Sequence, residues 1–418
     1  MKKRKLHLTV KILIGLLAGI VVGLVLNLAG AASIANTWIK PFGTLFMNLI
    51  KMAIVPLVFA SLTMGACGLG DVKKVGKIGA KTLAYFLVTT ALAVVIGLVI
   101  GTLFNVGSGI TLPTDAAYEA KEATPFIDTL LNIIPTNPFK ALADGNMLQV
   151  IAFALFIGIG IAAVGAKAER FKEAMDGFAE IMYKIIGGIM KLAPYAVFCL
   201  IIPVVASQGA KVLMPLLTLI IAVYLACFLH AGIVYSLSVK LFAGLSPLKF
   251  FRAAAPAWLF AFTTASSAAT LPFSLESSRK LGVSPQIRSF VIPLGATINM
   301  DGTAAFQGIC ALFVAAIYGI PLSFSQMLTI ILAATLASIG TAGVPGAGTV
   351  MLGMVLSAVG LPLDAVAIIM GVERILDMAR TSINVTGDIA CSVVIAASEK
   401  DLNPKYALEE VMDGEMIA

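Results

Sequence analysis

Long apolar stretches separated by short polar connections run through almost the whole chain. The connection at 135–138, Pro-Thr-Asn-Pro, interrupts the fourth stretch, so we expect that stretch to be broken into pieces. A membrane-spanning helix needs about 20 apolar residues, and the stretches are of that length or longer. The pattern predicts an all-α polytopic membrane protein with apolar stretches at 8–28, 38–66, 77–104, 127–165, 175–206, 213–243, 247–281, 286–318, 324–359 and 363–397.

Basic residues mark every second connection in the first part of the chain. Cytoplasmic loops of membrane proteins carry an excess of Lys and Arg, so these connections predict the cytoplasmic side and a cytoplasmic N-terminus. The net charge of +7 therefore reflects topology rather than a nucleic-acid-binding surface. The basic groups are Lys2 to Lys5, then Lys73, Lys74, Lys77 and Lys81, then Lys167, Arg170 and Lys172, then Lys240, Lys249 and Arg252.

The alternation of basic and non-basic connections fails at two later stretches, and a helical hairpin explains each of them better than a single crossing. A single crossing by 247–281 would carry Arg279, Lys280 and Arg288 to the outside, whereas a hairpin keeps them in the cytoplasm. The stretch 324–359 has no basic residue at either flank, so we expect it to enter from the outside. Both have polar, small-residue midpoints, at 263–272 and 338–348. Paired interrupted segments in an inverted repeat indicate the binding site of a transporter.

Polar residues stand inside the last apolar stretches, at 299–303 (NMDGT) and 377–388 (DMARTSINVTGD). A charge near the bilayer centre costs about 2.5–3.5 kcal/mol on insertion scales, so it is kept where it faces a partner or a pathway. On a helix, one face spanning about 80° carries all of Glu373, Asp377, Arg380, Asn384 and Asp388. This face offers a guanidinium for a carboxylate, a carboxylate for an ammonium and oxygens for a cation. The alternative to a binding role for this face is a ladder of internal salt bridges that only holds helices together.

Composition narrows the class further. The chain is 59% hydrophobic and 12% charged, whereas soluble domains average about 25% charged residues. Its five cysteines are scattered without metal-ligand spacing, and its two histidines argue against a histidine-based metal or catalytic site. The N-terminus resembles a signal peptide, but its apolar run is long enough to span, so we expect an uncleaved first helix.

Four motifs in order, at 263–272, 293–307, 337–348 and 371–388, resemble the dicarboxylate/amino acid:cation symporters. That family includes archaeal aspartate transporters and mammalian excitatory amino acid transporters. The resemblance implies eight transmembrane helices plus two re-entrant helical hairpins with inverted repeats, a homotrimer, and an elevator-type motion. It implies scaffold helices at 1–76, a third span of the transport unit with its extracellular loop at 77–126, and a broken fourth span with scaffold helices at 127–246. The transport core is then 247–397, and 398–418 is a cytoplasmic tail.

The resemblance also implies a substrate site. Asp377 matches the partner of the substrate amino group, and Arg380 matches the clamp on its side-chain carboxylate. The hairpin tips, which hold Ser266, Ser267, Val344 and Gly348, would cover the α-carboxylate. Further substrate contacts are implied at Thr303, Thr381 and Asn384.

Three sodium sites are implied in the same way, with no other cofactor. Oxygen-only ligands suit a hard cation such as sodium. The first set is Gly295, Asn299, Asn384 and Asp388; the second is Thr89, Thr90, Asn299 and Asp301; the third is Thr297, Ser338, Ile339 and Thr341.

The resulting hypothesis is a sodium-coupled symporter of L-aspartate or L-glutamate in the inner (cell) membrane, with both termini in the cytoplasm. Alternatives within transport are a proton-coupled glutamate or C4-dicarboxylate carrier and a neutral amino acid carrier. A passive anion channel could use the same polar lining. An intramembrane enzyme could use Asp301 with Asp377 or Asp388 as a carboxylate pair.

Overall fold

The computed structural model describes residues 8–75, 77–109, 131–339, 341 and 347–403. In its first part a short helix, Ala32–Ile34, and a π-helical turn, Ala35–Ile39, lead into the second long helix. The long and short α-helices up to residue 243 are α1 Leu8–Leu28, α2 Lys40–Val75, α3 Lys77–Leu103, α4 Pro138–Asp144, α5 Met147–Val164, α6 Glu169–Met190, α7 Ala193–Gln208, α8 Leu213–Leu229 and α9 Ser236–Ala243.

The second part is helical too, in shorter pieces. A π-helical segment, His230–Tyr235, joins α8 to α9 without a turn. The remaining helices are α10 Pro247–Thr264, α11 Ser267–Lys280, α12 Pro285–Ile298, α13 Asp301–Ile317, α14 Phe324–Ser338, α15 Ala347–Ala358, α16 Val366–Met370 and α17 Glu373–Ser398. The described part of the chain is thus all-α, as the apolar pattern predicts.

Helical stretches of membrane-spanning length and hydropathy recur through the described residues. Five qualify by length and composition, at Lys77–Leu103, Gln149–Ile186, Gly209–Ala243, Pro285–Ile317 and Glu373–Ser398. Shorter apolar helices lie at Ile14–Leu28, Val55–Met64, Ala193–Ser207, Phe324–Ser338 and Gly348–Ala358. These helices support a polytopic membrane protein, while the exact number of crossings stays a prediction.

Two of the apolar stretches are divided into shorter helices. The stretch 127–165 is broken as expected, with Asn137 capping α4 and Gly145 (φ 66°) ending it. The stretch 175–206, expected to be one span, is two helices, α6 and α7, and that expectation is wrong. Pro194 stands in the first turn of α7, where a missing N–H is tolerated, but it could not have continued the hydrogen bonding of α6.

Close helix packing defines a group formed by α1, α2, α5, α6 and α7. Gly15, Gly19 and Gly23 recur at every fourth position on the face of α1 that meets α7. A Cβ added to Gly15 would lie 2.3 Å from the backbone oxygen of Pro194, and one on Gly23 would lie 2.6 Å from Cβ of Val205. Glycines in this spacing let two backbones approach closely, which is the main source of helix association in lipid.

A second group gathers around α17. Helices α3, α10, α11, α12 and α13 pack against it, and α14 packs against α3. The segment 213–243, expected to be scaffold, packs mainly against α3, α13 and α17. The division into scaffold and moving unit stays a prediction, but the contacts place this segment with the second group.

The stretch 247–281 folds as a helical hairpin. Helix α10 ends at Ala265, which adopts the left-handed conformation (φ 51°, ψ 44°), and α11 begins at once behind Ser266. Ser266 Oγ caps α11 by accepting a hydrogen bond from the N–H of Ala269 at 3.2 Å. Helices α14 and α15 pack together as the arms of the second hairpin, whose tip at 342–346 lies outside the described residues. Entry from opposite membrane faces stays a prediction.

An ion pair ties the end of α17 to the start of α3. Lys81 donates to the carboxylate of Glu399, and Lys77 lies 3.6 Å from the same oxygen, Oε1. The hydrogen bond from Lys81 lowers the pKa of Glu399 below its ordinary value. The two ends of these helices therefore meet on the same side of the molecule.

Gly15→Ala should destabilise the protein, because its methyl group would meet the immovable backbone of Pro194. Overpacking of this kind costs about 1–3 kcal/mol. The measurement is the apparent midpoint of thermal unfolding in detergent, and the matched control is Gly160→Ala in α5, where a Cβ meets nothing within 4 Å. The control should keep or raise the midpoint, since Ala is favoured over Gly by about 0.8–1.0 kcal/mol inside a helix. Equal midpoints for both variants would contradict the packing.

Candidate functional site

The site begins where the helix 285–317 is interrupted. Helix α12 ends at Ile298, Asn299 is extended (φ −89°, ψ 100°), and α13 starts at Asp301. The break frees backbone groups at the start of α13, and the N–H of Gly302 donates to Oδ1 of Asn384 on α17 at 2.8 Å. A Cβ on Gly302 would lie 2.5 Å from the carbonyl oxygen of Arg380, so only glycine permits this approach. The two predicted motifs, 299–303 and 377–388, therefore lie against each other.

Arg380 is at the centre of the site and is fully buried. Its Nη2 contacts Oε1 of Glu373 at 2.8 Å and Oδ1 of Asp377 at 2.9 Å. The guanidinium carbon lies 4.1 Å from the centre of the Phe306 ring, a distance at which the ring face attracts the cation. Nε and Nη1 have no hydrogen-bond partner among the described residues. A buried N–H without a partner is costly, so each of these two groups suits an acceptor supplied by a ligand.

Neighbouring side chains complete this cluster. Thr381 Oγ1 donates to Oδ1 of Asp377 at 3.1 Å, and Nδ2 of Asn384 donates to Oγ1 of Thr303 at 3.3 Å. Gly348 lies beside them, since a Cβ there would be 2.7 Å from Cγ2 of Thr303. The structure thus brings together the six predicted substrate residues Thr303, Gly348, Asp377, Arg380, Thr381 and Asn384.

The first hairpin tip is fastened to the same helix. Arg374 Nη2 donates to the carbonyl oxygens of Thr263 and Thr264, at 3.1 Å each. Arg374 lies one turn before Asp377, so the tip with Ser266 and Ser267 is held near the cluster. Ser266 itself serves as the helix cap of α11, and Ser267 is buried. Val344 lies outside the described residues.

The first predicted sodium set is assembled. Asn299 Nδ2 donates to the carbonyl oxygen of Asn384 and to Oδ1 of Asp388, at 2.9 Å each. A Cβ on Gly295 would lie 2.5 Å from the same Asp388 oxygen. Oδ1 of Asn299 is buried without a partner among the described residues. The four residues therefore form a compact cluster of oxygen-bearing groups, a ligand type that suits a hard cation.

The second set centres on Asp301, which is fully buried. Thr90 Oγ1 donates to its Oδ1 at 2.6 Å, so Thr90 and Asp301 meet as predicted. Thr89 instead donates to its own helix, at the carbonyl of Phe86. Tyr235 OH donates to Oδ2 of Asp301 at 2.7 Å, and Nε2 of His230 lies 3.0 Å from that oxygen.

His230 and Tyr235 were missed by the sequence reasoning, as was Phe306. His230 and Tyr235 are the first and last residues of the π-helical segment between α8 and α9, and π-helical turns occur often at functional sites. A single histidine inside an apolar stretch was the available signal, because an ionisable residue within a membrane segment is by default a functional candidate. Two histidines argue against a histidine-based metal site, yet one of them contacts a predicted ligand.

The third predicted set is not linked by a described contact. Thr297 is exposed, and its hydroxyl donates to the carbonyl of Leu294. Ser338 and Thr341 likewise donate to carbonyls of their own segment, Thr335 and Ala337, and Ile339 is buried. This set lies beside residues outside the described part of the chain, and it stays a prediction.

Charge is distributed unevenly across the site. Arg380 faces two carboxylates, whereas Asp388 and Asp301 have no Lys or Arg ion pair within the described ranges. Burying a carboxylate is costly unless its charge is neutralised. No group of three or more His, Cys, Asp and Glu within those ranges is placed to hold a metal ion. A cation here would be held by mixed carboxylate, amide, hydroxyl and backbone oxygens.

Known proteins resemble this chain over almost its whole length. The Proton/sodium-glutamate symport protein of Geobacillus stearothermophilus is 37% identical over 410 residues, 96% of each chain. The Proton/glutamate-aspartate symporter of Escherichia coli strain K12 is 37% identical over 382 residues, 88% of this chain and 87% of its own. The C4-dicarboxylate transport protein of Bacillus subtilis strain 168 is 32% identical over 413 residues, 97% of this chain and 96% of its own.

A family model agrees with these relatives. The model described as Sodium:dicarboxylate symporter family matches residues 8–398. That range contains every described helix and all the residues of the site. The relatives' names are those of transport proteins, which excludes the intramembrane enzyme. The chain belongs to the sodium:dicarboxylate symporter family, and it is an integral membrane symporter.

Proposed function

We propose that this symporter carries L-aspartate or L-glutamate inward and couples uptake to sodium by alternating access. The observation that carries the proposal is the buried Arg380–Asp377 pair, with Nε and Nη1 of Arg380 lacking partners among the described residues. One guanidinium and one carboxylate side by side match a substrate that has both a side-chain carboxylate and an ammonium group.

A C4-dicarboxylate fits this arrangement less well. It would present a second carboxylate where Asp377 stands, and two like charges in a buried site repel each other. The relative from Bacillus subtilis is named for C4-dicarboxylate transport, so this substrate is the nearest competitor. A neutral amino acid would leave the N–H groups of Arg380 without an acceptor, at a cost of about 1–3 kcal/mol each.

Sodium coupling is supported by the two buried carboxylates, Asp301 and Asp388. Asp301 is contacted by the hydroxyls of Thr90 and Tyr235 and by the imidazole of His230, and Asp388 by the amide of Asn299. Neither carboxylate has a Lys or Arg ion pair among the described residues. A co-transported cation would neutralise them at each cycle. A proton could serve the same carboxylates, and the names of the relatives include proton coupling, so proton-driven uptake is the second candidate.

The proposal extends to the larger assembly. The two packing groups contact each other at α2 and α3. In addition, α15 packs against α13 and contacts α2, and α16 packs against α17 and contacts α7, as parts of a moving unit and its support would. Large apolar side chains such as Trp38 and Phe42 are exposed on the first group and are available to lipid or to further copies in a homotrimer. An inner-membrane location, cytoplasmic termini and an elevator motion of the second group complete the proposal.

Arg380→Cys should abolish aspartate and glutamate uptake and allow small neutral amino acids to be carried. Removing charged hydrogen bonds worth about 1.5–3 kcal/mol each predicts an affinity loss of at least about 100-fold. The measurement is sodium-driven uptake of labelled aspartate and of labelled alanine into proteoliposomes. Arg170→Cys, which removes an exposed arginine, is the control and should behave like the wild type. Wild-type transport of alanine but not aspartate would refute the assignment.

Asp377→Asn should separate amino acids from dicarboxylates. Losing the partner of the ammonium group should reduce the affinity for aspartate at least about tenfold, an effect of about 1.4 kcal/mol. The affinity for succinate should stay unchanged or rise. The measurement is the inhibition constant of each compound against labelled aspartate. If succinate is already the better substrate of the wild type, the site is a dicarboxylate site and the amino acid proposal is wrong.

Asp388→Asn should raise the sodium concentration needed for half-maximal uptake by at least about tenfold, because a buried ligand loses its charge. The affinity for aspartate at a fixed sodium concentration should fall in the same variant. The measurement is the sodium dependence of aspartate uptake at matched membrane potential, with Asp144→Asn, an exposed carboxylate, as the control. Full uptake by the wild type in sodium-free buffer under a proton gradient would decide for the proton-coupled alternative.

A further inference from the structure

An apolar groove lies on the far side of α17 from the site. It has a volume of about 600 Å³, within the range of small-molecule pockets. Its walls come from α8 and the π-helical segment, from α10 and from α17, through Cys227, Gly232, Phe251, Trp258, Ala379 and Ile383 among others. At 3.6 residues per turn, the lining residues of α17 are centred roughly 130° around the helix from Arg380 and Asn384. They are Ala379, Ser382, Ile383 and Thr386. The groove is therefore separate from the site.

The hydroxyl groups that line the groove already have partners. Tyr224 OH donates to the carbonyl of Ile375 at 2.8 Å, and Ser382 Oγ donates to the carbonyl of Trp258 at 3.0 Å. Thr386 Oγ1 donates to the carbonyl of Ser382 at 2.7 Å. Since these hydroxyls are satisfied within the protein, the walls favour an apolar occupant.

One end of the groove is basic. Arg252 belongs to the lining, and Lys249 stands one turn before it on α10. Lys240 lies near the end of α9, which the short loop 244–246 joins to α10, so it is at the same end. All three are exposed, and none of them forms an ion pair with a residue in the described ranges. The charge distribution along the sequence predicts that this end is cytoplasmic.

The length of the groove matches one leaflet of a bilayer. Along α10 its lining runs from Leu248 to Phe262, about 21 Å at 1.5 Å per residue. Half of a bilayer's hydrocarbon core is about 15 Å, which leaves the remainder for a head group. Phe228 and Leu248 on the groove are 73% and 69% exposed, as expected of side chains that face lipid.

We propose that this groove binds an anionic phospholipid, with an acyl chain along Trp258 and the phosphate at Arg252. A basic pocket between membrane helices on the cytoplasmic side is a recognised arrangement for anionic head groups. The wall formed by α17 carries the site on its other face, so the lipid is a structural ligand of the same helix. The proposal does not depend on which substrate or cation is carried.

Trp258 provides the readout, because the chain has only two tryptophans. In Trp38→Phe protein, fluorescence reports the groove; in Trp258→Phe protein it reports Trp38, which is 73% exposed and serves as the control for ordinary lipid contact. Each protein is reconstituted into phosphatidylcholine with increasing brominated phosphatidylglycerol or brominated phosphatidylcholine. Trp258 should reach half-maximal quenching at about fivefold less of the anionic lipid. Trp38 should show no such preference.

Two further variants of the Trp38→Phe protein locate the binding. Arg252→Gln should remove the preference for the anionic lipid. Gly232→Leu should fill the groove and reduce quenching by both lipids, since a Cβ at Gly232 meets nothing within 4 Å. Gly160→Leu adds the same side chain at an equally open position outside the groove. It should change neither the quenching of Trp258 nor its preference for the anionic lipid.

Three results would overturn the proposal. Equal quenching of Trp258 by both lipids, or a preference that survives Arg252→Gln, would mean ordinary contact with bulk lipid. Displacement of the anionic lipid by inorganic phosphate would mean a site for a free anion. Circular dichroism and size-exclusion chromatography show whether each variant folds. If Gly232→Leu does not fold, the substitution at the exposed Arg252, Arg252→Gln, decides the test.

Discussion

The structure depends on the cost of placing charged groups inside an apolar helix bundle. Helix α17 carries Glu373, Asp377, Arg380 and Asp388, and all four are buried. Within a membrane each would be expensive without a partner. The other elements of the second group are arranged around this requirement: α13 supplies backbone N–H groups and a ring face, α12 supplies an amide, and the first hairpin tip offers carbonyls to Arg374.

The break between α12 and α13 makes this arrangement possible. A continuous helix would use its N–H and C=O groups internally and could offer only side chains. At Asn299 and Met300 the hydrogen-bonding ladder is interrupted, so the N–H of Gly302 reaches Asn384. The same break aims Asn299 and Asp301 in different directions, toward Asp388 and toward Thr90. Irregular backbone at membrane depth is tolerated only where it is buried in protein or lines a cavity. The break at Asn299 and Met300 is therefore typical of a binding site.

The two packing groups share close glycine packing and differ in the charge that they bury. In the first, α1 and α7 approach through glycines, so van der Waals contact between backbones stabilises the pair. In the second, a Cβ on Gly97 of α3 would lie 2.5 Å from the carbonyl oxygen of Ala305 on α13, so these helices approach in the same way. The second group adds the buried ion pairs and polar networks around α17, which further fix the relative positions of its helices.

The sequence by itself determined the helical architecture and the polar breaks, and it predicted a set of site residues. Apolar length predicts the spans, and the helical repeat places Glu373, Asp377, Arg380, Asn384 and Asp388 on one face. Motif resemblance then assigns the family, which the family model confirms. These features are local, or they are carried by short motifs, so they can be read along the chain.

Only the tertiary structure decided which groups meet across the fold. His230 and Tyr235 lie 71 and 66 positions before Asp301, and no periodicity relates them. The split of 175–206 into two helices depended on a proline whose role differs between the interior and the first turn of a helix. The partners of Arg380 were likewise open between an internal ladder and a ligand site. The structure shows the internal ion pairs at Nη2 and leaves Nε and Nη1 without partners among the described residues, because the orientation of a guanidinium is fixed by its surroundings. A ligand site at those two groups stays a proposal.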